Sequence, residues 1–278
     1  MAKIVIFYFS GTGNSMAAAL KLAALLPDAE AAPMLGCDPV ALAGGEASVI
    51  GLVYPIHMNA VPRTVADFIG RLGPVKGRRV FAVATHGGFP FLAGLHLEKV
   101  LKRNKTALDA YYEIQMINNT PKGVAPKPLM RLDWELGITD DIVDRALKAA
   151  DAGIEEIAEE IAKGASRPVP RPSSFKGKAA RLGMALLWTV SANSRPTLDF
   201  INDVGCTGCG ICEKVCTTGR IKLRNGKPSW NGPDCNYCYA CFNYCPAQSI
   251  GVKHYTKKLG RYHHPEISAA DIAAQKSK

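Results

Sequence analysis

Residues 4–16 read IVIFYFSGTGNSM, and the reading of this stretch decides the fold. Residues 4–9 form an unbroken apolar and aromatic run, the signature of a strand buried on both faces. Ser10-Gly11-Thr12-Gly13-Asn14-Ser15 follows at once. Residues 14–26 (NSMAAALKLAALL) then read as a helix, ended by Pro27. A strand, a small-residue loop and a helix N-terminus make an anion site, because first-turn N–H groups have no acceptor within the helix. A triphosphate, a dinucleotide pyrophosphate and a flavin monophosphate are all candidate anions.

The pattern continues outward. Residues 29–34 read as a weak second strand, 48–54 (SVIGLVY) as a third, 79–85 (RVFAVAT) as a fourth and 107–117 as a fifth. Helical spacing covers 61–72, with Pro62 suited to the first turn, then 91–103 and 140–163. Strands alternating with helices imply an α/β domain, a doubly wound five-stranded parallel sheet covered on both faces. Its ligands bind beyond the carboxyl ends of the strands. This domain is expected over residues 1–164. Composition then shifts: residues 163–196 carry seven basic residues and no acidic one. Residues 165–196 read as a basic, Pro-rich linker with a connecting helix over 178–191.

Cysteine placement defines the remainder, residues 197–278. Of nine cysteines, Cys37 stands apart and eight fall between 206 and 245. Residues 206–216 (CTGCGICEKVC) and 235–245 (CNYCYACFNYC) are both C-x2-C-x2-C-x3-C, offset by 29. Ile221 and Ile250 obey the same offset, so this is an internal repeat around a shared apolar centre. In such a run three closely spaced thiolates wrap one cubane and the fourth reaches the other. That assigns Cys206, Cys209, Cys212 and Cys245 to one [4Fe–4S] cluster, and Cys235, Cys238, Cys241 and Cys216 to a second. Gly208 and Gly210 let the first loop close. Zinc ribbons use separated C-x2-C pairs, and disulfides belong to oxidising compartments. The first copy departs from the usual run at Thr217, where proline is expected.

The bulk numbers agree. With 278 residues, 47% hydrophobic and 21% charged, the chain reads as globular. It has no apolar run of about 18 residues and starts almost directly in a strand, so neither a membrane span nor a cleavable signal peptide is expected, and a cytoplasmic location is. The formal charge of +10 raises nucleic acid or anionic membrane as partners. Eight thiolates, two cluster cores and a flavin phosphate bring it to about +4, which removes that argument.

The anion can now be narrowed. A triphosphate loop needs Gly-Lys-Ser/Thr, and here Asn14-Ser15 stand with no lysine near. A dinucleotide loop needs a third glycine, and Met16 follows instead. A compact phosphate monoester suits the hydroxyls and amides of Ser10, Thr12, Asn14 and Ser15, with Gly11 and Gly13 admitting backbone N–H groups. The loop resembles the FMN phosphate loop of flavodoxins. With the cysteine repeat, the Trp230 segment and the tail Arg261-Tyr262-His263-His264-Pro265, nearly the whole chain resembles flavodoxin–ferredoxin fusion proteins. That resemblance implies FMN and two [4Fe–4S] clusters. It implies two further flavin loops, Tyr54-Pro55-Ile56-His57-Met58-Asn59 and Thr85-His86-Gly87-Gly88-Phe89. The function implied is electron transfer among FMN, the clusters and redox protein partners. The alternative is an FMN-dependent reductase of a small organic substrate, with residues 118–134 as a lid.

Overall fold

The computed structural model describes residues 3–44, 47–88, 90, 92–121, 137–171, 179, 182–183, 200–232, 235–252 and 260–277. Phe89, most of the expected connecting helix and residues 122–134 of the expected lid lie outside them.

Five strands, β1 (Lys3–Tyr8), β2 (Ala29–Pro33), β3 (Ala47–Pro55), β4 (Arg79–His86) and β5 (Ala110–Gln115), form one parallel sheet. Their order is β2-β1-β3-β4-β5, the flavodoxin-type doubly wound order. The pleat divides the opening apolar run between two cores. Ile4, Ile6 and Tyr8 pack with Leu22 of α1 (Asn14–Leu25) and Ile154 and Ile157 of α5 (Asp140–Ala162). Val5, Phe7 and Phe9 pack with Phe68 of α3 (Arg63–Leu72) and Leu97 of α4 (Ala93–Arg103). This two-sided burial is why the strand shows no polar alternation.

Three local outcomes differ from the sequence expectation. A short helix, α2 (Pro39–Gly44), starts where Asp38 Oδ1 accepts from Val40 and Ala41 N–H. Pro62 is the N-cap of α3, not a first-turn residue. The expected linker opens as part of the α/β domain. Arg167 pairs alongside Ala110, with its N–H donating to Asp109 O and its carbonyl accepting from Tyr111 N–H. Val169 is buried in the core, and Arg171 pairs with Glu98 at 2.7 Å. The side-chain pattern does not show this pairing, because Arg167 makes it with backbone atoms alone.

The C-terminal part is small. β6 (Phe200–Asn202) pairs antiparallel with β9 (Ile250–Val252), and β7 (Lys222–Arg224) pairs with β8 (Lys227–Ser229). The helices are α6 (Ile211–Val215), α7 (Ala240–Asn243) and α8 (Ala269–Ala274). Ile221 and Ile250 pack in one cluster with Phe242, the shared centre the repeat implied. Among the described residues, no helix is long and apolar enough to cross a membrane.

Candidate functional site

The strand ends converge as the doubly wound order requires. Ser10, Gly11, Thr12, Asn14 and Ser15 line one cavity of about 360 Å³, counting its mouth. Pro55, Ile56 and His57 after β3, and Thr85, His86 and Gly87 after β4, line the same cavity. α1 starts here with Gly13 as N-cap at φ 101°, no side-chain cap and no acidic residue in its first turn. Its first-turn N–H groups therefore face no competing side-chain acceptor. Ser10, Thr12, Asn14 and Ser15 are all buried. Ser15 Oγ lies 2.8 Å from Thr85 Oγ1, which ties the first loop to the third. This donor set fits a phosphate monoester without any cation.

Not every expected flavin residue reaches the cavity. Tyr54 is fully buried in the core beneath α3 and α4. Met58 and Asn59 are the tip of a tight turn, with φ 48° and 60°. His57 and Ala60 close it with two backbone hydrogen bonds of 3.1 and 2.9 Å. Gly13 lies under His264 and Ile267, and Gly88 is outside the lining. Gly87 packs so tightly that a Cβ there would stand 2.5 Å from Asn118 Cα. Met116 and Ile117, which the sequence reading missed, and Asn119, the described part of the expected 118–134 lid that reaches the cavity, complete the lining. Asn119 Nδ2 donates to Thr12 Oγ1 at 2.6 Å. Their signal was positional: they follow the carboxyl end of the fifth strand.

Two histidines hold the second loop. Burial pushes His57 down to about 4, its ring faces the Asn236 backbone carbonyl, and its Nδ1 is enclosed with no partner among the described residues. His57 is thus a neutral imidazole at the cavity wall. Val61 N–H donates to His96 Nδ1 at 3.0 Å, which requires His96 to be unprotonated. Burial, then Lys99 and Arg103, lowers His96 to about 4. Since the unfolded chain takes up this proton near the ordinary 6.5, stability falls as pH drops from 6.5 and the loss is complete below about 4. His96→Asn, whose Oδ1 can accept from Val61, is expected to flatten that limb by on the order of 1–2 kcal/mol. Thermal unfolding at pH 7 and pH 4.5 measures it, and an unchanged slope removes His96 as the cause.

The cysteines fall into the two expected groups. Cys206, Cys209, Cys212 and Cys245 surround a space of about 320 Å³, counting its mouth. Cys212 has Cys209, Cys245 and Cys206 as its electrostatic neighbours. Cys238 has Cys235 and Cys216 beside it, and Cys241 has Cys238, Cys235 and Cys216, with Cys212 more weakly. Among the described residues no three such side chains close on a single ion. Burial pushes Cys212 up to about 11 and Cys238 up to about 12, so thiolates there need a cationic core to hold them ionised. An iron–sulfur core supplies that charge, and the four-sulfur arrangement fits it.

The two copies share backbone conformation as well as spacing. Gly208 and Gly210 have φ 72° and 77°, and their counterparts Tyr237 and Tyr239 have φ 55° and 54°. Left-handed tyrosines are strained, and tertiary contacts hold them. Small groups approach the sulfurs. Tyr237 N–H donates to Cys235 Sγ at 3.3 Å, and Ser249 Oγ lies 3.5 Å from Cys245 Sγ. Thr217, at the departure from the proline pattern, places Oγ1 3.8 Å from Cys238 Sγ and accepts from Asn236 Nδ2 at 3.2 Å. Threonine supplies a hydroxyl beside a sulfur where proline would supply none.

The second cysteine group sits directly on the anion loop. A Cβ on Gly11 would stand 2.5 Å from Cys238 Cβ and 2.9 Å from its carbonyl oxygen. Gln275 clamps Ser10, accepting from its N–H and donating to its carbonyl, both at 3.0 Å. Tyr262 OH donates to Asn14 Oδ1 at 2.8 Å, and His264 N–H donates to Thr12 O at 2.8 Å. Asn243 Nδ2 donates to Asn119 O at 3.0 Å. The tail is therefore a strap joining the cysteine region to the loop after β1.

Residues 205–250 match the family model of a 4Fe-4S dicluster domain. No curated protein matches the chain in sequence. Similar solved structures include oxidised flavodoxin 2 from Bacillus cereus, at 17% identity and TM-score 0.42, covering 59% of this chain and 99% of that one. Two-electron reduced Megasphaera elsdenii flavodoxin matches at 18% identity and TM-score 0.38, covering 56% of this chain and 98% of that one. Rubredoxin oxygen:oxidoreductase from Desulfovibrio gigas matches at 15% identity and TM-score 0.37, covering 55% of this chain and only 36% of that longer one. A sheet of flavodoxin-type strand order and a 4Fe-4S dicluster domain are joined in this one chain, the arrangement of flavodoxin–ferredoxin fusions.

Proposed function

We propose that this chain is an electron-transfer flavo-iron-sulfur protein that passes electrons between two [4Fe–4S] clusters and FMN. The observation that carries the reading is the contact of Gly11 with Cys238, which puts the anion loop and a cysteine group in van der Waals contact. In this reading Cys206, Cys209, Cys212 and Cys245 hold one cluster, and Cys235, Cys238, Cys241 and Cys216 hold the other. Ser10, Thr12 and Ser15, with the first-turn N–H groups of α1, hold the phosphate. His57 and His86 line the same cavity, and as neutral imidazoles they would orient the flavin by hydrogen bonding without adding charge. FMN supplies the exchange between one-electron and two-electron chemistry, and the clusters supply one-electron steps. The chain's own task is to hold these groups close and exclude water between them. Gln275, Tyr262 and Asn243 do so by locking the cysteine region onto the loop. Domains at 1–164 and 197–278 serve these two roles, with the intervening stretch anchored on the sheet edge as far as Arg171.

Anaerobic reconstitution with iron, sulfide and FMN tests the reading. The expected result is about eight irons and one FMN per chain, with flavin bleaching after the iron–sulfur absorbance falls. Four or fewer irons, or no flavin uptake, overturns it.

A further inference from the structure

We propose that the surface formed by the exposed loop around Cys209 and the β7–β8 hairpin is the docking site for an acidic one-electron carrier protein. The proposal rests on the reading of the Cys206–Cys209–Cys212–Cys245 group as a cluster site, and it names that cluster as the port.

Of the eight cysteines only Cys209 is exposed; its own group also holds the buried Cys212, while the other group holds two buried members, Cys238 and Cys241, and no exposed one. Cys238 lies against Gly11 of the anion loop. A one-electron partner must bring its own centre close, and Cys209 is where the chain allows that approach. The hairpin is built against this loop. Gly208 has φ 72°, and a Cβ there would stand 2.9 Å from Gly226 O at the hairpin tip. Leu223 and Pro228 of the hairpin line the same space as Cys209. The turn Asn225-Gly226 has φ 49° and 71°, the conformation of a tight two-residue hairpin, so the residues flanking it are held rigidly.

Those flanking residues are Arg224 and Lys227, both exposed and neither in an ion pair among the described residues. Lys222 is neutralised by Glu213 at 3.1 Å. Residues 200–232 hold five basic and two acidic residues, and the second acid, Asp203, accepts from Gly205 N–H at 2.9 Å. Val204 is 100% exposed and Ile201 55% exposed beside the same loop. Exposed apolar groups next to unpaired cations form the usual mixture of a transient protein interface. The charge has a further reason. A cubane with four thiolates is anionic, and it repels another anionic redox centre. Cations at the rim offset that repulsion and select a partner whose own rim is acidic. One electron crosses between the two centres, one oxidised as the other is reduced, and no bond forms or breaks.

Stopped-flow reduction of the reconstituted, FMN-loaded protein tests this, with a reduced acidic two-cluster ferredoxin as donor and methyl viologen radical cation as control. Iron and FMN counts come first, so a failure of the cluster reading shows as missing iron before any rate is measured. For the natural protein the bimolecular rate with ferredoxin is expected to fall several-fold from about 20 to 200 mM salt. Arg224→Glu with Lys227→Glu is expected to lower that rate about tenfold or more at low salt, without lowering the rate with the viologen cation. Arg224→Ala with Lys227→Ala, which adds no new charge, is expected to fall between. A ferredoxin rate independent of salt in the natural protein overturns the proposal. So does an equal loss with both donors at full iron content. Binding to phosphatidylserine vesicles that the charge reversal abolishes, with the ferredoxin rate untouched, assigns the cations to a membrane instead and also overturns it.

Discussion

Gly11→Ala is expected to weaken FMN binding by about tenfold or more and to cost about 1–3 kcal/mol of stability, the usual range for overpacking a rigid contact. The new Cβ would stand 2.5 Å from Cys238 Cβ and 2.9 Å from Cys238 O. Neither side has a free torsion to absorb this. On one side is a buried loop fixed by Gln275, Tyr262 and His264; on the other is the backbone of a proposed cluster ligand. The loop must move off the cysteine region, and the phosphate donors move with it. Flavin fluorescence quenching gives the affinity, thermal unfolding the stability, and flash reduction the rate of cluster-to-flavin transfer. Gly88→Ala is the matched control, since a Cβ there meets nothing within 4 Å among the described residues. Equal behaviour of the two variants would remove the contact as the coupling point. Gly87→Ala is a poor probe of the flavin, because its first effect is a collision with Asn118.

The second large effect concerns which cysteines share a cluster. Cys206→Ala combined with Cys216→Ser is expected to abolish both clusters, leaving close to no bound iron. Cys206→Ala combined with Cys245→Ser is expected to retain about four irons, because both changes strike one cluster. A within-copy arrangement gives the opposite pattern, since Cys206 and Cys216 then share a cluster and Cys206 and Cys245 do not. Iron counts after identical anaerobic reconstitution separate the two. The crossed arrangement is the one proposed, supported by the electrostatic neighbours of Cys212, which are Cys209, Cys245 and Cys206.

How far the sequence reaches is clear from particular residues. The five strands, their approximate bounds and the two flanking helix layers were legible because burial on both faces leaves unbroken apolar runs such as residues 4–9. The crossed cysteine groups were legible because C-x2-C-x2-C-x3-C is a local geometric constraint repeated 29 residues later. The doubling of φ > 0 from Gly208 and Gly210 to Tyr237 and Tyr239 was not, since tyrosine carries no left-handed preference. Nor was the exclusion of Tyr54 from the cavity that Pro55 lines, because successive residues at the end of β3 differ only in which way the pleat turns the side chain.

The sequence by itself determined an α/β sheet with an anion loop after its first strand, and two cysteine groups in a separate small region. These rest on periodicity and short spacings, which a few neighbouring residues impose. Only the tertiary structure decided that the two regions meet at Gly11 and Cys238, and that Gln275, 265 residues away, clamps the backbone of Ser10. It also decided that Arg261, Tyr262 and His264 form a strap: Arg261 lies 3.9 Å above the Phe242 ring while Tyr262 and His264 reach Asn14 and Thr12. Such contacts depend on how two folded surfaces fit, with single glutamine, tyrosine and glycine residues as their only trace. No local rule marks those residues, because the partner that gives each its meaning is brought near only once the chain has folded.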